Sequence, residues 1–220
     1  VSGATKQSDW AQLFRVACSL IDQVNSEQLI IDSWSFGGGT AMMLQIDHRE
    51  SHDVDIFLQD PQFLPFLDPR TKDFKFEIVP SDYNGDGARF LKLAFEDVGE
   101  IDFIASPFLT DAPTLQQKIE GIETKLETVC EIIAKKVYYR AASLKPRDIF
   151  DIAAAAQQQE KLTIEALRPY KQQVLTAIET INRLNPEFVD TAISQLQIRE
   201  KFQDVAKAAI PIAKKTLQAV

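Results

Sequence analysis

The strongest constraint on this 220-residue chain is a change of hydrophobic period along it. In its first half, apolar side chains recur at alternate positions in 74–79 and 89–95, and 54–58 and 100–104 read as further, largely apolar strands. Period two buries one face of a β-strand. The cluster Asp82-Tyr83-Asn84-Gly85-Asp86-Gly87 reads as the turn of a hairpin joining 74–79 to 89–95. Residues 29–31 and 34–36 read as short extended pieces, 40–45 as a short helix, and 117–124 as an extended stretch around Gly121. From about Glu127 the period lengthens to that of a helix, carried by Val129, Ile132, Ile133, Lys136, Val137 and Arg140. Pro146 suits the first turn of a second helix through Phe150 and Ala154. The run 153–159 (AAAAQQQ) reads as that helix's tail. Thr163 and Asn185-Pro186 read as further helix starts, and Pro211 as a kink or break in the last helix. At the other end, Ser8 reads as the cap of a helix with the stripe Trp10, Leu13, Phe14, Ala17, Leu20, Ile21 and Val24. Strands up to about residue 106 and helices beyond it make an α+β chain. A mixed sheet flanked by helices, in 1–125, precedes a helical region in 126–220.

A hydrophobic share of 45% supplies a core. The net charge of −8 disfavours a dedicated nucleic-acid binder, which needs clustered Lys and Arg for phosphates. Cys18 and Cys130 lie far apart and form no CxxC pair, which fits a reducing cytoplasm. No apolar run reaches a membrane span, so no membrane partner is expected.

Chemistry concentrates in SFGGGTAMMLQIDHRESHDVDIF, residues 35–57. Glycines between a strand and a short helix let backbone N–H groups approach a phosphate, or simply make a tight turn. Neither GxGxxG nor GxxxxGK[ST] is present, which excludes the dinucleotide and P-loop motifs. Asp53 and Asp55, two apart in a strand, project from one face. Such a pair either holds a hard cation such as Mg²⁺ or lines an exposed polar face. Asp102, in EIDFI, adds a third carboxylate if its strand lies beside the first. Three carboxylates can hold two metal ions for in-line phosphoryl transfer. Glu100 competes with Asp102 on the same face. His48 and His52 are read as loop residues, because hard cations prefer oxygen. The string Asp82, Asn84, Asp86, Gly87 opens like an EF-hand loop, but Leu93 stands where the closing Glu belongs.

With these residues in view, the sequence resembles a known group. Gly38-Gly39-Thr40-Ala41 followed by His48-Arg49-Glu50-Ser51-His52-Asp53-Val54-Asp55 is similar to the signature of the nucleotidyltransferase superfamily, and closest to its AbiEii/AbiGii toxin branch. Lys135-Lys136-Val137-Tyr138-Tyr139-Arg140 with Lys145-Pro146-Arg147-Asp148-Ile149-Phe150-Asp151 resembles a later segment of the same branch. The resemblance covers residues 37–151. It implies a nucleotidyltransferase-like sheet, an NTP bound with Mg²⁺ or Mn²⁺, and transfer of a nucleoside monophosphate to a hydroxyl. A tRNA 3′ end or a protein is the implied acceptor, and an antitoxin protein the implied partner. Gly38, Gly39 and Thr40 would contact phosphates. Asp53, Asp55 and Asp102 would hold the metals, with Asp102 helping to activate the acceptor. Lys135 or Lys136, with Arg140, would neutralise the triphosphate. Asp148 or Asp151 would orient that lysine or meet the base and ribose, or both would join a surface ion-pair network with Arg147 and Arg140. Arg49 and Ser51 would brace the loop, Arg49 also pairing with an acidic group. A catalytically silent binding protein of the same fold, or an enzyme that modifies a small molecule such as an antibiotic, are the alternative readings.

Overall fold

The computed structural model describes residues 9–220, and the chain within it folds as two compact units. The first takes the chain up to Ala41, then Ser51–Phe108 and Thr114–Leu126; the second takes Met42–Glu50, Leu109–Pro113 and Glu127–Val220.

The first unit is built on a seven-stranded mixed sheet. Its strands are β1 (Trp34–Gly37), β2 (Val54–Leu58), β3 (Asp82–Gly85), β4 (Phe90–Phe95), β5 (Gly99–Ala105), β6 (Thr114–Ile119) and β7 (Ile122–Glu127). Their order in the sheet is β3-β4-β5-β2-β1-β7-β6. β2 and β5 run parallel, whereas β1–β2 and β4–β5 are antiparallel. Register gathers Val54, Ile56, Ile101, Phe103, Leu91 and Leu93 on one face, and all six are buried. Period two then sends Asp55, Asp102 and Lys92 to the other face.

Helix α1 (Trp10–Val24) supplies an apolar stripe that includes Leu13, Phe14, Ala17, Leu20 and Ile21. Phe14 stacks on Phe36 of β1 at 4.9 Å between ring centroids. Burying each such side chain stabilises by roughly 1.5–3 kcal/mol. The expected Ser8 cap lies outside the described residues. Asp9 occupies the N-cap position without a side-chain cap bond.

Several expectations are corrected here. Residues 29–31 form no strand. Residues 74–79 are not a hairpin arm. Backbone groups of Lys75 are bonded to the Gln23 side chain of α1, with Lys75 N–H donating to Oε1 at 2.8 Å and Nε2 donating to Lys75 C=O at 2.9 Å. The arm that pairs with β4 is the stretch expected to be the turn, with Tyr83 opposite Leu93. The true turn is anchored by the Asp86 carboxylate, which accepts N–H bonds from Ala88, Arg89 and Phe90. Strands also continue past residue 106, because Glu120 and Gly121 both take positive φ (49° and 83°) and link β6 to β7. That pair of left-handed residues matches the twist of a two-residue hairpin.

The second unit is helical. After α2 (Gly38–Ile46), which begins in the first unit, and the short α3 (Leu64–Leu67), which belongs to the first unit, come α4 (Val129–Arg140), α5 (Pro146–Leu167), α6 (Lys171–Arg183), α7 (Pro186–Ser194), α8 (Gln203–Lys207) and α9 (Ala209–Gln218). Thr128 caps α4 by accepting the Glu131 N–H. Pro146 and Pro186 occupy first-turn positions, where a missing N–H costs nothing. Thr163 does not start a helix. It lies inside α5, four residues beyond a kink at Gln159, and its hydroxyl donates to the Gln159 carbonyl. Pro211 sits in the first turn of α9, just after the chain leaves helical geometry at Ala208.

Candidate active site

In the first unit, four neighbouring strands line up a row of residues on the polar face. Gly37 of β1 is opposite Asp55 of β2, Asp55 is opposite Asp102 of β5, and Asp102 is opposite Lys92 of β4. Directly opposed residues bring their Cβ atoms to about 5 Å, so this register sets the two carboxylates side by side.

Gly38 follows Gly37 at the start of α2 with φ +70°, a left-handed conformation that favours glycine. A Cβ there would come within 1.8 Å of Asp55 Oδ2. The glycine therefore makes room for the carboxylate. Gly39 follows in the first turn of α2, and the Thr40 hydroxyl donates to the Asp53 carbonyl. Asp53 stands just before β2, and its Oδ1 accepts the Glu100 N–H at 3.2 Å. Burial raises the Asp102 pKa above the usual carboxylate value, and the charges of Glu100 and Asp53 add to this against the opposing pull of Lys92.

Lys92 had no place in the sequence-based expectations. Its Nζ lies 3.0 Å from Asp102 Oδ2 and also bonds to Glu100. Burial opposes its charge, yet Glu100 and Asp102 hold its pKa above the usual lysine value. The signal was present in FLKLAF, where a lone lysine occupies the outward position of an apolar strand. Among the described residues no three His, Cys, Asp or Glu side chains converge on a common point as a metal-binding group. The donor chemistry nonetheless fits a hard divalent cation: the oxygens are carboxylate, Asp55 and Asp102 are paired in register, and the Gly38 cradle keeps Asp55 in place.

In the second unit a buried ionic cluster surrounds Asp151, which is fully inaccessible. Arg49 grips it with two bonds, Nε to Oδ1 at 2.9 Å and Nη2 to Oδ2 at 3.1 Å. Lys136 Nζ reaches Asp151 Oδ2 at 3.0 Å and Asp148 Oδ1 at 2.7 Å. Arg140, half exposed, lies 3.4 Å from Asp148. Asp148 also accepts the Lys145 N–H, fixing the start of α5. Burial works against both charges, but the cations hold Asp148 below, and Asp151 well below, the usual carboxylate range.

His48 Nε2 lies 2.9 Å from Asp151 Oδ1. Its pKa is nevertheless lowered, because burial and the charges of Arg49 and Lys136 outweigh the carboxylate. The neutral ring donates from Nε2. Its Nδ1 has no hydrogen-bond partner, so a second proton there would be buried unpaired. His48 is thus a loop residue by backbone and a buried one by side chain.

Lys135 and Lys136 part company. Lys135 pairs with Glu127 at 2.6 Å and lies 3.6 Å from Glu131. Glu131 in turn accepts the N–H groups of Leu109 and Thr110. Of the two lysines, only Lys136 is tied to Asp148 and Asp151. Arg147 is exposed, while Arg49 supplies the charge that it was expected to bring.

Known proteins were then compared with this arrangement. The family described as the nucleotidyl transferase AbiEii toxin of type IV toxin–antitoxin systems matches residues 20–218. The curated proteins gave no match. Among solved structures, MenT4, a nucleotidyltransferase toxin from Mycobacterium tuberculosis H37Rv, is 18% identical with a TM-score of 0.51, covering 95% of this chain and 83% of that one. JHP933 from Helicobacter pylori is 14% identical with a TM-score of 0.48, covering 96% and 91%. The structural likeness to MenT4 shows a shared fold, and the family match over nearly the whole chain shows descent. The chain belongs to the AbiEii family of nucleotidyltransferase toxins.

Proposed function

We propose that this nucleotidyltransferase binds an NTP with a divalent cation and transfers the nucleoside monophosphate to a hydroxyl acceptor, a tRNA 3′ end or a protein. The observation that carries the reading is the register pairing of Asp55 with Asp102, with Gly38 shaped around the Asp55 carboxylate. Asp53, Asp55 and Asp102 would hold Mg²⁺ or Mn²⁺. When bound, such a cation supplies neutralisation of the triphosphate and a lower pKa for the attacking hydroxyl. Gly38, Gly39 and Thr40 begin α2, whose first N–H groups have no partner within the helix and would meet a phosphate. In the transfer, the acceptor oxygen bonds to the α-phosphorus and the α–β anhydride bond breaks. Pyrophosphate leaves, and the hydroxyl proton passes to Asp102.

For Lys136 and Arg140 the proposed role is neutralisation of phosphate charge, with Asp148 and Asp151 orienting Lys136. The contacts of Lys136 with both carboxylates support this choice over Lys135. The family also supports an antitoxin protein as partner and a toxin's role in the cell. No described helix is long and apolar enough to cross a membrane.

The test is incubation with each α-labelled NTP, total tRNA and cell lysate, followed by separation of RNA and protein. Label should pass from one or more NTPs to an acceptor with release of pyrophosphate, and Asp55→Asn should abolish it. Equal labelling by the variant, or no labelling of any fraction by the wild type, would overturn the reading.

A further inference from the structure

Lys92 sits at the end of the row Gly37–Asp55–Asp102–Lys92. Its Nζ lies 3.0 Å from Asp102 Oδ2, so it occupies an oxygen of a carboxylate that a cation shared with Asp55 would also draw on. It has a second carboxylate at hand, because Glu100 lies two residues before Asp102 on β5 and bonds to the same Nζ. Both partners and the lysine are part exposed, so the chain has room to move between them. An exposed cross-strand pair would by itself be an ordinary sheet device. Its placement within a carboxylate row gives it a further consequence.

We infer that Lys92 is a built-in counter-ion of the acidic row, competing with the divalent cation for Asp102 and retreating to Glu100 when the cation binds. Lys92 then offsets part of the row's negative charge in the free protein without a metal. Cation binding is coupled to a lysine movement, and affinity for the bare ion is held low. Lys92 acts through Asp102 and is a positioning residue. The inference rests on the proposed cation site at Asp55 and Asp102.

Mn²⁺ binding to the nucleotide-free protein, measured by electron paramagnetic resonance, tests it. Lys92→Gln should bind Mn²⁺ roughly fivefold tighter than the wild type, the scale of one part-exposed ion pair. Lys92→Arg, which keeps the charge, should stay near the wild-type affinity. Lys92→Gln should also melt lower than the wild type in EDTA and regain the difference in saturating Mn²⁺, because a ligand that binds only the folded state stabilises it. Unchanged or weaker Mn²⁺ binding by Lys92→Gln, with a melting deficit that Mn²⁺ does not repair, would reduce Lys92 to a plain cross-strand pair and overturn the inference alone. Binding that persists undiminished in Asp55→Asn and Asp102→Asn, or is absent from every form at millimolar Mn²⁺, would overturn the cation site as well.

Discussion

Gly38 and the Asp55 carboxylate compete for one space: a methyl group on Gly38 would lie 1.8 Å from Asp55 Oδ2 and 2.4 Å from its Cγ. No bonded or van der Waals arrangement tolerates that approach, so any side chain at 38 must rotate the carboxylate away. The residue's φ of +70° adds strain for any non-glycine residue. Gly38→Ala is therefore expected to lose about 100-fold in nucleotide transfer, the scale of a 1 Å misplacement at a reacting centre. The melting temperature should fall by only a few degrees, as a penalty of about 1–2 kcal/mol implies. Initial rates of label transfer, set beside a thermal melt, separate the two effects.

Neutralising Asp102 should separate activity from stability. Its carboxyl pKa is raised by burial and by nearby carboxylates, so its charge is a cost to the folded chain. Asp102→Asn is expected to abolish transfer while melting at or above the wild-type temperature. A clear loss of stability would show that the Lys92 contact outweighs burial.

The Arg49–Asp151 pair is buried at both ends, so breaking it leaves a carboxylate with less compensation. Arg49→Met is expected to cost about 3 kcal/mol, as is usual for removing one partner of a buried pair. Arg49→Lys should recover only part of this, because one ammonium cannot replace the two-point grip. Urea unfolding at pH 7 measures both.

His48 gives the fold a mild acid sensitivity. Its folded pKa lies below the ordinary 6.5, so between those two values the unfolded chain binds the extra proton. Stability is then full above about pH 6.5 and is lost as pH falls through that window. Asp148 and Asp151, both held below the ordinary 3.8, add a second loss at lower pH as they protonate. Urea midpoints from pH 7 to pH 5 should fall for the wild type and fall less for His48→Gln. Identical slopes for the two proteins would count against a neutral buried His48.

Local chemistry made much of this molecule readable from its sequence. Alternation set Val54 and Ile56 on one face and Asp55 on the other, because a strand has no other way to separate Val54 from Asp55. Proline at the first turn marked the starts of α5 and α7 for an equally local reason. What no local pattern contains is which strand lies next to which. The pairing of Asp55 with Asp102 is 47 residues long-range in origin, and it places Lys92, two strands from β2, into the same row. Residues 74–79 carry a strand's alternation yet bond to Gln23 of α1, since a competing partner is visible only in three dimensions. Lys135 and Lys136 are adjacent letters of the same type; the helix turns them about 100° apart, and only packing decides that one meets Glu127 and the other Asp148. Sequence determined the chemical groups and their faces, because those depend on backbone period alone. Tertiary structure decided their partners, because charges act through space and contacts between distant segments exist only once the chain has closed on itself.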